Sequence, residues 1–179
     1  MASGEDGVLV ADYEGRILFQ DKIGHAQRVS MGNYRPDLNG LETCAITYWR
    51  NASIITLYDK DFRRLCTWEH PADGNVITPV NWTGDGSDLI LTSASAAHGG
   101  LYDGYGELAA PFPADDAHPE LCCEAIQYAG GERDRLMAWD EERMFIYSQA
   151  DARGRGFSPA PVKCPHYNGS NYRGEYAFR

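Results

Sequence analysis

The chain has no CxxC pair, no long apolar run and no helix-length stretch that keeps a helical period, and each absence closes off a class of protein. Cys44, Cys66, Cys122, Cys123 and Cys164 have neither metal-site nor redox-pair spacing, so no zinc cluster and no thioredoxin-like centre is indicated. An odd count with two adjacent cysteines fits buried thiols better than a disulfide framework; a Cys44–Cys66 bridge is the one pairing left open. The start, MASGEDGVLV, has no basic segment followed by a long apolar one, so neither a signal peptide nor a membrane span is expected. Cations are scarce: 16 Lys and Arg stand against 26 Asp and Glu, a formal charge of -10. That balance disfavours nucleic acid, whose affinity comes from clustered cations. A few arginines in a cleft would still suit the spaced carboxylates of an acidic polysaccharide.

What is present is a repeat. The 179 residues, 43% of them apolar, suffice for one domain with a real core. Tyr13, Tyr58, Tyr102 and Tyr147 recur at steps of about 45 residues, each after apolar residues, and the first three precede an acid, Glu14, Asp59 or Asp103. A second register agrees: Asn33, Asn81 and Gln127 each precede an aromatic (Tyr34, Trp82, Tyr128) and then a Gly/Asp/Asn turn. Between these marks lie short runs rich in β-branched and aromatic residues, such as LETCAITYW, SIITLYD, RRLCTWE, VITPVNW and DLILTSA.

About four strands per unit of roughly 45 residues is the pattern of a β-propeller blade. The expected fold is therefore all-β, with about three and a half to four four-stranded antiparallel blades. Residues 1–179 are expected to form a single partial propeller domain, either a small closed ring or, as the favoured reading, the C-terminal part of a larger propeller, and 151–165 read as an irregular Gly/Pro-rich insertion or linker. Unpaired blade edges would favour a homo-oligomer.

His25, His70, His118 and His166 follow nearly the same period and fall between the last strand of one unit and the first of the next. In the blade pattern these crossings run toward one end of the channel, where imidazoles could transfer protons or bind a metal. The bland reading is that each histidine only caps a turn. Gln27 and Arg28 follow His25, and Arg28 suits a bidentate carboxylate contact. Tyr48, Trp49, Trp82 and Tyr128 offer flat surface for a sugar ring, although core packing is the commoner use of such aromatics. Asn81 could orient a hydroxyl or simply close a turn. Asp37, Asn39 and Glu42, spaced around Gly40, have the oxygen-rich look of a calcium loop; Asp85 with Asp88, and Glu132 with Asp134, are weaker candidates, and tight-turn chemistry is the alternative throughout. Asn51, Asn81 and Asn168 begin glycosylation-type triplets.

Taken in order, GHAQRVSMGNYRPDLNGLE, PVNWTGDGSDLILTSA, GGLYDGYGELAAPFPADDAHPEL and RDRLMAWDEERMFIYSQ resemble the C-terminal half of rhamnogalacturonan lyase-like proteins, with an echo in YNGSNYRGEY. The likeness runs from Gly7 to about Gln149. Arg35 and Gly131 stand where it leads one to expect acids.

The resemblance implies a secreted polysaccharide lyase acting on a rhamnose- and uronate-containing glycan by β-elimination, with calcium as companion. On that reading His25 transfers the proton, Arg28 holds the carboxylate and His118 is the second acid/base group. Gln27, Tyr48, Trp49, His70, Asn81, Trp82 and Tyr128 would contact substrate. A glycoside hydrolase using Asp115, Asp116 or Glu120 beside His118, and a non-catalytic module binding a glycan or protein, are the alternatives.

Overall fold

The computed structural model describes residues 2–49, 51–72, 76–126 and 133–150, together with the backbone of a short strand at 175–176. Within them the protein is all-β, fifteen strands in four sheets. No helix occurs among the described residues, and hence none long and apolar enough to cross a membrane. The expected insertion at 151–165, together with Tyr128, Glu132, Cys164 and His166, lies outside them.

The sheets follow the chain. The first contains β1 (Ala2–Gly4), β2 (Gly7–Ala11) and β3 (Ile17–Asp21). The second is the antiparallel meander β4 (Ala26–Gly32), β5 (Glu42–Thr47), β6 (Ile54–Tyr58) and β7 (Arg64–Glu69). The third repeats that order with β8 (Thr78–Val80), β9 (Leu89–Leu91), β10 (Gly100–Tyr102) and β11 (Leu108–Pro111). The fourth has β12 (Cys122–Ile126), β13 (Arg135–Trp139) and β14 (Met144–Tyr147). β15 (Glu175–Tyr176) lies parallel to β4, opposite Ser30 and Met31.

Strand alternation explains how these sheets pack. On β5, Cys44 and Ile46 join one apolar cluster with Ile77, Ile90 and Tyr102, whereas Ala45 between them joins Val8, Ala26 and Tyr58. Ile90 enters the cluster shared by the second and third sheets; its neighbour Leu91 enters the next one, with Leu101, Leu136 and Ala138. The two middle sheets are thus covered on both faces, which is why β5 and β6 are buried at nearly every residue rather than at alternate ones. Outer strands show the opposite: β7 and β11 are largely exposed. Three clusters correspond to three sheet-to-sheet junctions.

Turn chemistry fixes which strands are equivalent. After β2, β6 and β10 come Asp12, Asp59 and Asp103, each following a register shift. Each Oδ1 accepts two backbone amides, from Glu14 and Arg16, Asp61 and Arg63, and Tyr105 and Glu107. β2 and β3 therefore match the third and fourth strands of the complete sheets, and the first sheet holds strands two to four of the unit. By position, the fourth sheet holds strands one to three.

This matching keeps Tyr58, Tyr102 and Tyr147 as equivalent strand ends but removes Tyr13 from the series. Tyr13 sits fully exposed in the first turn, and Asp12 takes the place of Asp59. Three residues past each acid the chain turns left-handed, at Gly15 and Gly106 but also at Phe62 (φ 61°). A side chain there is strained; Phe62 stacks on Phe19 at 5.3 Å, which offsets part of that cost. Cys44 and Cys66 both pair with Leu57 from opposite sides, two strands apart. That spacing of about 9 to 10 Å is too wide for a disulfide, and both thiols are free.

Candidate functional site

The turns at 48–53, 92–99 and 140–143 lie at the same end of their sheets as the inter-sheet crossings. The Tyr48 amide donates to the His25 carbonyl, the His70 amide to the Ser53 carbonyl, and the Arg143 guanidinium to the Ala117 carbonyl. His25, His70 and His118 thus belong to one end, but their surroundings differ sharply.

His25 is the accessible one. Gly24, with φ 90°, turns the chain into it. Its Nδ1 lies 2.8 Å from Glu5 Oε1 and its Nε2 2.8 Å from the Gln27 side chain, and the ring meets Trp49 edge-on at 6.3 Å. Gln27 is the extra residue of a bulge, because Ala26 pairs with Thr47 and Arg28 already with Ile46. Bulges re-aim side chains, and this one turns Gln27 to the imidazole. Arg28 follows, half-buried. Tyr48 and Trp49 lie 6.0 Å apart with rings nearly perpendicular, and Trp49 is 66% exposed with a left-handed backbone, φ 44°. An exposed indole held in a costly backbone conformation is a feature to be explained by contact with something.

The chemistry available here is that of an oriented base. As placed, Nε2 faces Gln27 Oε1 and Nδ1 faces Glu5 Oε1, both acceptors; with Nδ1–H donating to Glu5 and the Gln27 amide flipped so that its NH2 donates, Nε2 keeps its lone pair. A substrate displacing Gln27 then finds a basic nitrogen. Glu5 escaped the sequence reading: it sits in the tight turn between β1 and β2, 85% exposed, and no motif marks it.

The other expected site residues lie elsewhere. His70 is buried, its Nδ1 beside the Ala72 carbonyl and its Nε2 near the His98 carbonyl and Thr92 hydroxyl. His118 is also buried, its Nδ1 2.6 Å from Asp116 and its Nε2 2.9 Å from the Ala94 carbonyl, with Phe112 and Tyr147 against the ring. Both act as struts between crossing and neighbouring sheet, and neither presents a nitrogen to solvent. Of the acids near His118, Asp116 also accepts from the Tyr147 hydroxyl at 2.7 Å, which, with His118 beside it, holds its carboxyl below the ordinary carboxylate range. Glu120 accepts the Ala96 amide, and Asp115 is exposed. An ionised, clasped Asp116 is a poor general acid.

No family model, curated protein or solved structure matches the chain.

Asn81 is buried and closes its turn by accepting the Gly84 amide, and Trp82 packs against the junction of the third and fourth sheets. Both serve packing, and the burial of Asn81 also makes its triplet a poor glycan acceptor. In the expected calcium loop, Asp37 is gripped by both ends of the Arg35 guanidinium at 2.8 and 2.7 Å. That guanidinium lies 4.0 Å above the Tyr105 ring. Asn39 is exposed, while Glu42 is buried and accepts the Arg35 amide. A guanidinium where the dication would need its first carboxylate does not suit calcium. Among the described residues no three His, Cys, Asp or Glu gather as a metal site. Asp85 is spent on Thr83 and Ser87, whose hydrogen bonds lower its carboxyl to about 2.

The signal missed in this region is periodic. Glu42, Asp88 and Asp134 recur at steps of about 46 residues just where the second strand of each unit begins. Asp88 accepts the Asn33 amide at 2.9 Å and Asp134 the Asn81 amide at 2.8 Å, each joining its sheet to the one before.

Proposed function

We propose that the chain is a β-propeller segment of the rhamnogalacturonan lyase-like kind, with four consecutive blades, two of them three-stranded among the described residues. Its face around His25 engages a rhamnose- and uronate-containing glycan. The observation that carries the reading is the exposed Tyr48–Trp49 pair set against an imidazole whose Nδ1 is held by Glu5. Aromatic faces receive sugar rings, and a nearby oriented base supplies chemistry at a ring carbon.

On this reading Arg28 receives the uronate carboxylate and so acidifies the neighbouring C5–H. Nε2 of His25 takes that proton. The electron pair forms the C4–C5 double bond as the bond from C4 to the glycosidic oxygen breaks, and the departing oxygen takes a proton from water at this open face. Glu5 fixes the tautomer and stabilises the imidazolium. His118 has no part in the step, because burial and two partners occupy it. Calcium is not needed for it.

The test is incubation of the folded protein with rhamnogalacturonan or a rhamnosyl-glucuronate oligomer, following ultraviolet absorbance of the unsaturated uronate. Absorbance that appears and is lost in His25→Gln supports the lyase reading; none from folded protein overturns it. A second reading, a glycan-binding module without turnover, is favoured by one observation: His70 and His118, the two other described histidines of the repeat series, are buried and leave His25 without a companion from that series. Calorimetric binding that persists in His25→Gln but not in Trp49→Ala, with no absorbance, identifies that case.

A further inference from the structure

Only glycine fits position 40 without strain. Its φ is 102°, and a Cβ there would stand 2.9 Å from the Lys60 Cβ and 3.0 Å from its Cδ, so a side chain would meet both a left-handed backbone and the Lys60 stem. The turn from β4 to β5 therefore carries the dipeptide Asn39–Gly40, exposed at both residues. Among the described residues neither the Asn39 carboxamide nor the Gly40 backbone amide has a hydrogen-bond partner. A backbone nitrogen that follows an asparagine can attack that side chain's carbonyl carbon, and glycine, with no side chain, obstructs the approach least. Comparable positions lack one condition or another. Asn33 and Asn81 precede the bulky Tyr34 and Trp82, and their side chains are engaged, Asn33 donating to the Gly86 carbonyl and Asn81 accepting the Gly84 amide. Asn51 is exposed but precedes Ala52. Asp85 precedes Gly86, but its carboxylate is a poorer electrophile than a carboxamide and is held by the Thr83 hydroxyl and by the Ser87 amide and hydroxyl. Among the described asparagines, exposure, a free carboxamide and a following glycine coincide at Asn39.

We propose that Asn39–Gly40 is a site of spontaneous covalent modification, at which the folded chain cyclises and reopens as aspartate and isoaspartate. The Gly40 nitrogen bonds to Cγ of Asn39 and gives up its proton; the bond from Cγ to the side-chain nitrogen breaks, and that nitrogen leaves with the proton as ammonia. The product is a five-membered succinimide. Water then adds to one of its two carbonyls and the ring opens to a carboxylate. Opening at Cγ gives aspartate with the backbone unaltered. Opening at the main-chain carbonyl gives isoaspartate, in which the chain runs through Cγ and is one methylene longer. Either product adds a negative charge two residues from Asp37. The longer one also changes the span between the Arg35 amide and the buried Glu42 carboxylate that accepts it. The reaction needs water alone and does not depend on any activity toward glycans.

The test is incubation of the folded full chain in warm, mildly alkaline buffer, followed by digestion and mass spectrometry with electron-based fragmentation, which separates aspartate from isoaspartate. The peptide containing Asn39 should lose its amide and appear mostly as isoaspartate, while those containing Asn33, Asn51 and Asn81 keep theirs and Asp85 stays unisomerised. Asn39→Gln, whose cyclisation would need a six-membered ring, should leave that peptide unchanged in a chain that folds normally by circular dichroism. A synthetic peptide with the sequence of residues 36–42, PDLNGLE, gives the rate of the same dipeptide without the fold. Retention of the Asn39 amide in the protein while the synthetic peptide converts overturns the proposal, because the fold then protects the site. Conversion of Asn33 or Asn81 as fast as Asn39 overturns it as well, because the exposed turn would then select nothing.

Discussion

Tyr58 offers the sharpest test of how the first two sheets are joined. Its ring is 1% exposed, meets Phe19 edge-on at 5.5 Å, and sends its hydroxyl to Asp21 at 2.9 Å. Asp21 also receives Arg64 at 2.5 Å, so it keeps a partner when the hydroxyl goes. An aromatic side chain of this size buries about 150 to 250 Å², which at about 25 cal/mol/Å² is roughly 4 to 6 kcal/mol. Alanine retains the Cβ, so Tyr58→Ala should cost about 3 to 5 kcal/mol. Tyr58→Phe removes only the hydrogen bond and should cost about 1 to 2 kcal/mol. Urea unfolding at neutral pH, with the slope unchanged between variants, measures both. If Tyr58→Ala costs less than about 1 kcal/mol, the ring is not buried between two sheets, and the face-to-face stacking is wrong at this junction.

Other expectations follow from the same contacts. Phe62→Gly relieves a left-handed non-glycine residue, a gain of about 1 to 2 kcal/mol, but loses the stack on Phe19, so melting temperature should change little; a large drop would show that the stack dominates. His118→Gln should lower stability while leaving any glycan turnover per folded molecule within about twofold; loss of turnover with unchanged stability would move the chemistry to His118. The carboxyls of Asp12, Asp85 and Asp116 are held below their ordinary values by hydrogen bonds. Their stabilisation is present above the unfolded carboxylate range and is lost as pH falls through the folded values. Burial raises Glu42, the opposite case: its folded form is favoured at low pH, and that benefit is lost as pH rises through its folded value. Glu42→Gln should therefore flatten the fall in stability that sets in as pH rises above the ordinary carboxylate range, measured by thermal unfolding across pH; an unchanged profile would show that Glu42 is not buried as described.

The strand pattern was legible because each middle sheet is covered on both faces and so writes apolar, β-branched runs into the sequence, as in ETCAIT and IITLY. The repeat length was legible too, since Tyr58, Tyr102 and Tyr147 end equivalent strands. Tyr13 misled because matching by residue type favours the tyrosine, whereas the turn is built by the Asp12 oxygen bonding two amides. Periodicity brought the histidines to one end but could not separate accessible His25 from the struts His70 and His118, a difference set by neighbours remote in sequence such as Glu5 and Ala94. Acids in turns suggested calcium; for Asp88 and Asp134 the second half of the bond, an amide some 50 residues away, was invisible without the fold.

The most direct measurement is a nuclear magnetic resonance titration of the full chain with a rhamnosyl-uronate oligosaccharide, observing the His25 ring and the Trp49 indole. Both signals should shift together and saturate, while those of His70 and His118 stay in place. Shifts confined to His118, or none at saturating glycan, would contradict a sugar site built on the His25 face.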